Sequence, residues 1–115
     1  MNTIYTYVED LCDEIGKVPS NGIVSRTLYS DDHLKVILFG FDQGQELSEH
    51  TSSMPAIIHV VKGEARLTLG DDSKESKVGS WIHMPPQTKH SVYAKTPLVM
   101  LLILLKSIEH KVETE

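Results

Sequence analysis

The 115-residue sequence contains one cysteine, Cys12, so an internal disulfide is impossible. Small secreted domains more often carry a disulfide framework, and the N-terminal residues lack the basic region and apolar run of a signal peptide. The longest uninterrupted apolar run, Leu98 to Leu105, is far shorter than the roughly 20 residues that cross a bilayer. We therefore predict a cytoplasmic protein without a membrane-spanning segment, in which Cys12 is a buried structural thiol.

Basic charge is also scarce. The chain has 11 Lys and Arg residues against 16 Asp and Glu residues, which gives a net charge of −5. Because nucleic-acid binding requires a basic stripe and these basic residues are scattered, we do not expect nucleic acid as a partner. The sequence also has no glycine-rich phosphate loop and no serine in a nucleophile-elbow context, so it assigns no catalytic residue.

At this length the chain fits a single domain. Its N-terminal part differs from the rest, because residues 4–16 predict a helix with Thr6 and Glu9 as a capping box and Gly16 at its end. The apolar side chains of this segment recur at helical spacing. The alternative is a loosely packed N-terminal arm.

From residue 23 onward, the pattern changes to short segments rich in apolar and β-branched residues, separated by turn residues. Strands this close in sequence must pair in antiparallel fashion, because a parallel crossover takes a dozen or more residues. The sequence therefore predicts an all-β fold, a small antiparallel jelly-roll barrel over residues 23–108, after the helix or arm of residues 1–22. The predicted strands cover residues 23–29, 34–41, 56–62, 65–69, 80–84, 90–94 and 98–105.

Three of these segments are apolar on both faces instead of alternating: residues 36–41, 56–61 and 99–105. A strand buried on both faces needs a filled barrel interior and a second covering layer. In a chain of this size, another copy of the same protein is the simplest such layer. We therefore predict a homodimer that is joined sheet to sheet.

Two histidines stand at defined distances from glycines or prolines. In the first segment, five residues separate Gly44 from His50, and Gly63 follows, with Ser52 and Ala56 in between. If this segment is a strand, residues two apart face the same side, so His50 and Ser52 would share a face.

The second segment repeats this kind of spacing. Five residues separate Gly79 from Pro85, and His90 follows, with Gln87 between them and Ala94 after. Together the two segments resemble the two motifs of the cupin superfamily, the RmlC-like barrels, over residues 44–94. The resemblance implies a jelly-roll barrel whose motif histidines project into one pocket.

Cupins hold a divalent transition metal (Zn, Fe, Mn, Ni or Cu) with two histidines and a glutamate of the first motif and one histidine of the second. In this chain Ser52 and Ala56 stand at the positions of the second histidine and the glutamate. The resemblance therefore implies a pocket lined by His50, Ser52 and His90. It leaves His50 and His90 as metal ligands, and the alternative is that no metal is bound.

A metal would need at least one further ligand. His59 is the first candidate, although a regular strand would point it away from the position of Ala56, three residues earlier, and only a bulge would turn it inward. The remaining candidates near the motifs are Glu49, Met54 and His83. The other histidines, His33 and His110, are predicted to be solvated surface residues.

Three functions remain open at this point. The first is a binding module for a small polar or anionic molecule, to which His50 and His90 donate hydrogen bonds. The second is a metal-dependent enzyme, such as a dioxygenase, isomerase or decarboxylase, with the metal held by these histidines and a third ligand. The third is a metal-free acid–base isomerase, with Glu46, Glu49 or Tyr93 as the acid partner.

Overall fold

The computed structural model describes residues 4–106, which form one short helix and nine strands in two antiparallel sheets. This architecture confirms the predicted all-β jelly-roll barrel with a short N-terminal helix. The first sheet has the strand order β1-β2-β9-β4-β7, and the second has the order β3-β8-β5-β6. The elements are α1 (Leu11–Ile15), β1 (Ile23–Ser30), β2 (Leu34–Phe41), β3 (Glu46–His50), β4 (Ala56–Lys62), β5 (Ala65–Leu69), β6 (Asp72–Ser76), β7 (Trp81–Met84), β8 (His90–Ala94) and β9 (Leu98–Leu105).

Short connections decide which strands face each other across the barrel. Residues 42–45 lead from β2 to β3, residues 63–64 from β4 to β5, residues 77–80 from β6 to β7, and residues 95–97 from β8 to β9. Each of these links passes from one sheet to the other. Because so few residues barely span the roughly 10 Å between packed sheets, the strands that each link joins lie opposite each other.

The core fills the space between the two sheets. Alternate side chains of each strand point into it, as the buried positions Ala56, Ile58 and Val60 of β4 show. The opposite sheet contributes Leu67 and Val92, which are directly paired across β5 and β8. The full set of buried core residues is Phe41, Ala56, Ile58, Val60, Ala65, Leu67, Met84, Val92, Ala94, Leu98 and Met100.

The outer face of the five-stranded sheet is covered in part by the N-terminal segment. Helix α1 contacts β1, β2 and β4 on this side. At Gly40 of β2, an added Cβ would lie 2.7 Å from a side-chain carbon of Ile15 and 2.9 Å from one of Val18. Glycine at this position therefore allows the helix end to pack directly on the sheet.

The helix is shorter than the sequence predicted. It begins at Leu11 because the carboxylate of Asp10 accepts hydrogen bonds from the backbone N–H groups of Cys12 (2.9 Å) and Asp13 (3.2 Å). Gly16 ends it at a positive φ of 70°, as predicted. The prediction that residues 4–10 are helical, with a cap at Thr6, was wrong. These residues form an extended arm rich in β-branched and aromatic side chains, which have low helix propensity.

Two strands, β3 and β6, were absent from the sequence prediction. Both are polar, with the sequences ELSEH and DSKES, and they form the two edges of the four-stranded sheet. An edge strand can satisfy its polar side chains in solvent and therefore carries no apolar pattern. The end of the predicted domain at residue 108 lies outside the described residues. Within residues 4–106, no helix is long and apolar enough to cross a membrane.

Gly63, in the link between β4 and β5, should be intolerant of any side chain. Its φ is +89°, and an added Cβ would overlap the carbonyl oxygen of Pro97. Gly79 has a similar φ of +95° but open space around it, so it is a matched control. We expect Gly79→Ala to cost about 1–2 kcal/mol and Gly63→Ala about 3 kcal/mol or more, measured by urea unfolding. Equal costs for the two variants would contradict the packing argument.

Candidate histidine site

His50 and His90 lie next to each other at one end of the four-stranded sheet. They are directly opposite residues on β3 and β8. Their ring centroids are 4.2 Å apart, and the ring planes are inclined by 55°. His90 is buried, with 6% of its surface exposed, whereas His50 on the edge strand is exposed. The structure therefore brings together the two histidines that the motif spacing singled out.

A bulge in β3 makes this arrangement possible. Leu47 is paired with Val92, and His50 is paired with His90. The step from Leu47 to His50 is three residues along β3, whereas the step from Val92 to His90 is two residues along β8. One extra residue is thus inserted into β3, which lets Leu47 and His50 share the inner face although a regular strand would put them on opposite faces. No glycine or other turn residue marks this insertion in the sequence, so sequence reasoning missed it.

Both imidazoles are oriented in the same way. The Nδ1 atom of His50 lies 2.8 Å from the carbonyl oxygen of Ser48, and the Nδ1 atom of His90 lies 2.8 Å from the carbonyl oxygen of Thr88. Because a carbonyl oxygen can only accept, each Nδ1 carries the proton and donates it. In the neutral rings, both Nε2 atoms are then unprotonated and offer lone pairs. The sequence assigned the histidines as hydrogen-bond donors, and their Nδ1 atoms donate here to backbone carbonyls.

Ser52 belongs to the rim next to the histidines. Its Oγ accepts a hydrogen bond of 3.0 Å from the backbone N–H of Met54, and its carbonyl accepts one of 2.7 Å from the N–H of Gln87. Residues 51–55 and 85–89, which lead into β4 and β8, are therefore tied together at the mouth of the barrel. The hydroxyl of Ser52 and the backbone of Met54 are occupied in this local turn.

The structure places His59 and His83 on the outer face of the five-stranded sheet. Register is regular from Ala56 to Val60, so His59 points away from the core, opposite Trp81. His83 lies on the same face, opposite Ile57. Neither side chain shares a face with the His50–His90 pair. The Nδ1 atom of His59 is buried and has no hydrogen-bond partner within the described chain.

The acid partners considered from the sequence also lie away from the ring nitrogens. Glu46 is paired with Tyr93 on the outer face of the four-stranded sheet, where the guanidinium of Arg66 lies 5.7 Å from the tyrosine ring centroid. Glu49 is exposed in the bulged part of β3. His33 is exposed in the turn between β1 and β2, and His110 lies outside the described residues.

The opposite wall of the mouth is mostly apolar. Leu104 of β9 is directly opposite Ala56 of β4, and Ala56 is in turn opposite Met84 of β7. All three side chains belong to the core or pack against it. Residues 51–55 connect His50 to Ala56, and residues 85–89 connect Met84 to His90. This row of side chains and the histidine pair therefore lie at the same end of the barrel.

The side chains present do not fit a resident metal of the kind that the resemblance implies. The pair supplies two imidazole nitrogens, correctly oriented by carbonyl groups, but a transition metal normally takes at least three protein ligands. Throughout residues 4–106, no group of three or more His, Cys, Asp or Glu side chains could hold a metal ion. Ala56 offers no donor where the resemblance would require a glutamate.

Comparisons with known proteins agree with the architecture. No curated protein matches the chain in sequence. A conserved protein of unknown function from Streptococcus pyogenes is 29% identical, covers 95% of both chains and superimposes with a TM-score of 0.81. A cupin superfamily protein from Desulfitobacterium hafniense is 24% identical, with 79% of this chain and 84% of that chain covered and a TM-score of 0.75.

An RmlC-like cupin from Shewanella frigidimarina is 23% identical, with 90% of this chain and 86% of that chain covered and a TM-score of 0.72. At these identities the two cupin structures support the fold alone. The model of the cupin domain family matches residues 37–104, which is more than half of the chain and contains both histidines. The chain therefore belongs to the cupin domain family.

Proposed function

We propose that this protein binds a small molecule at the barrel mouth through the Nε2 atoms of His50 and His90. The observation that carries the proposal is the pair of Nδ1–carbonyl hydrogen bonds, each 2.8 Å long. They fix both rings and leave two neighbouring lone pairs without a described partner. Such a pair accepts hydrogen bonds, so it is suited to a ligand with hydroxyl or other donor groups.

The apolar wall opposite the histidines supports the same function. Ala56 and Met84 are almost completely buried, at 2% and 3% exposure, and Leu104 packs beside them. Small-molecule sites typically combine such apolar surfaces with a few convergent polar groups. A ligand in the mouth would therefore contact this wall mainly through Leu104, which is partly exposed, and would contact the two imidazoles on the other side.

A metal-dependent activity is the second candidate, because the same two lone pairs could each donate to a metal ion. The third ligand would have to come from the bound molecule or from water, since His59 and His83 face the other side of the sheet. Two imidazoles alone make a weak site. The tight, resident metal centre of an enzyme is therefore less well supported than a binding site.

We further propose that the protein is a homodimer that uses the outer face of the five-stranded sheet. The large apolar side chains that are exposed in the described chain are Ile4, Tyr5, Tyr7, Tyr29, Val78 and Trp81. All except Val78 belong to this sheet's outer face or to the arm that lies on it. Of the side chains of β4, β7 and β9 on this face, Lys62 is the charged one, opposite Val99 at the far end of β4.

A second copy is the occupant that this face fits. Two chains that each carry a net charge of −5 repel each other, so their contact is most favourable where both surfaces are uncharged. Five strands of about seven residues make a face of roughly 550 Å² in projection. The arm and α1 cover part of this face, and their own exposed side chains extend the surface toward the about 800 Å² per partner of a stable interface.

The single cysteine also supports a cytoplasmic location, which we propose for the protein. Cys12 cannot form an internal disulfide, and it is partly buried in α1. The fold is stabilised by its apolar core and sheets, so it does not depend on an oxidising compartment.

Replacing either histidine by phenylalanine should weaken binding while keeping a planar aromatic ring at the position. In a screen of sorbitol, glucose and inositol by ligand-observed NMR, we expect His50→Phe and His90→Phe to weaken binding about tenfold each, roughly 1.4 kcal/mol per lost hydrogen bond. His33→Phe, in an exposed turn, is the matched control and should bind as the native chain does. Binding that persists unchanged in both site variants would contradict the proposed site.

The protein purified without a histidine tag should contain far less than one metal ion per chain. Two imidazoles without a third protein ligand should lose a transition metal during purification. Elemental analysis by mass spectrometry, before and after incubation with Zn²⁺, Fe²⁺, Mn²⁺ and Ni²⁺, measures this. Near-stoichiometric metal that survives dialysis, and is lost in His90→Phe, would favour the metal-dependent enzyme instead.

Trp81→Lys should convert the dimer into a monomer. Trp81 is 61% exposed, so the substitution leaves the core intact while placing like charges on both copies of the interface. Multi-angle light scattering should show twice the chain mass of 12.9 kDa for the native protein and the single mass for the variant. Val78 is 60% exposed outside this face, so Val78→Lys should remain dimeric. A monomeric native protein at micromolar concentration would refute the dimer.

A further inference from the structure

Lys35 of β2 has an unusual position for a lysine. It is directly opposite Leu104 of β9, in the same row that continues to Ala56 and Met84. Directly opposite residues of paired strands share a face, so Lys35 lies on the inner face of the five-stranded sheet. It is partly buried, although lysine is among the residues most often left in solvent.

The connections of the barrel place Lys35 across from the histidine pair. Residues 42–45 join β2 directly to β3, so these two strands lie opposite each other in the two sheets. Lys35 is near the end of β2 that is farthest from this link, and His50 is at the end of β3 that is farthest from it. The lysine and the histidine therefore lie at the same end of the barrel, on sheets that pack roughly 10 Å apart.

No described acidic group neutralises Lys35. Among residues 4–106 it forms no ion pair and no side-chain hydrogen bond, whereas Lys95 and Arg66 are both paired with Glu75. The two acids nearest in sequence are Asp32 and Asp31. Asp32 is exposed and forms no ion pair among the described residues, and Asp31 is bound within its own turn. The hydroxyl of Tyr29 donates to it over 2.6 Å, which lowers the pKa of Asp31 to about 2, and two backbone N–H groups bind its other oxygen.

Lys106, at the same end of the sheet, is by contrast a lysine whose ammonium has hydrogen-bond partners. Its ammonium donates to the hydroxyl of Ser30 (3.2 Å) and to the carbonyl of Asp31 (2.7 Å). Lys35 has no such contacts and lies on the inner face. An ammonium held at the barrel mouth without a counter-ion favours an anionic ligand, because a carboxylate there replaces the water that the lysine loses on binding.

We propose that the ligand of the His50–His90 site is a small hydroxy acid, whose carboxylate pairs with Lys35. The inference rests on the proposed binding function and adds the ligand class. The two sides of the barrel mouth favour different chemical groups of the ligand. An imidazole that donates its Nδ1 proton to a carbonyl can accept a hydrogen bond at Nε2, so the two histidines suit the hydroxyl groups. The ammonium of Lys35, on the opposite sheet, pairs with the acidic group.

Three six-carbon probes separate these contributions: gluconate carries hydroxyls and a carboxylate, sorbitol carries only hydroxyls, and hexanoate carries only the carboxylate. We expect gluconate to bind most tightly in ligand-observed NMR titrations at neutral pH. Lys35→Gln should weaken gluconate binding about tenfold, to the level of sorbitol, and leave sorbitol binding unchanged. Lys62→Gln, which removes an exposed lysine at the other end of β4, is the matched control.

The outcomes distinguish this inference from the proposed function. His50→Phe should weaken gluconate and sorbitol alike, which a change at Lys35 should not do. Sorbitol binding that depends on the histidines, with gluconate no tighter, would overturn the hydroxy-acid assignment and leave the histidine site standing. Equal gluconate affinities for Lys35→Gln and the native protein, or no gluconate binding at all, would also overturn it. A loss of binding for all probes in Lys62→Gln would show that the effect is not specific to Lys35.

Discussion

The position of β9 between β2 and β4 is the constraint on which the rest of the structure depends. All eight residues of β9 are apolar. One face of the strand points into the barrel, and the other lies on the outer surface of the sheet. On the inner side, Leu104 is directly opposite both Lys35 of β2 and Ala56 of β4. This row forms the wall across the barrel from the histidines. On the outer side, Leu101 is directly opposite both the buried Leu38 of β2 and His59 of β4. The arm and α1 cover this face only in part. One strand register therefore fixes both the composition of the mouth and the chemistry of the outer surface.

The histidine pair depends on backbone carbonyls more than on other side chains. Each imidazole is held by the carbonyl of the residue two positions earlier, Ser48 or Thr88. In metal sites, a carbonyl in this role orients the ring so that its other nitrogen can act as a ligand. The same orientation serves any ligand with a hydrogen to donate. With Ala56 in place of a carboxylate, the barrel keeps the paired histidines of a metal-binding fold without the carboxylate that would join them. This is why the fold and the chemistry of the site can be assigned separately.

Much of the fold could be predicted from the sequence, because seven strands are marked by apolar or β-branched residues between clear turns. The edge strands β3 and β6 could not, since their side chains meet solvent and show no apolar pattern. Motif spacing placed His50 beside His90, yet it could not show the extra residue in β3 that lets the two rings meet, because a bulge leaves no mark in polar sequence. The inward-facing position of Lys35 could not be predicted from the sequence either. Its strand is apolar on both faces, so alternation does not reveal which way a single polar residue points.

The contrast between His50 and His59 shows how far strand register decides the chemistry of a residue type. Both are histidines on strands that flank the same five-residue loop, and the sequence offered both as ligands. The bulge in β3 turns His50 toward His90, whereas the regular β4 turns His59 toward Trp81 on the outer face. His50 thereby becomes part of a polar mouth with an accessible Nε2 atom. His59 instead lies among apolar neighbours on the outer face, and its buried Nδ1 atom has no hydrogen-bond partner among the described residues. A one-residue insertion thus separates a histidine at the barrel mouth from one on the outer face of the other sheet.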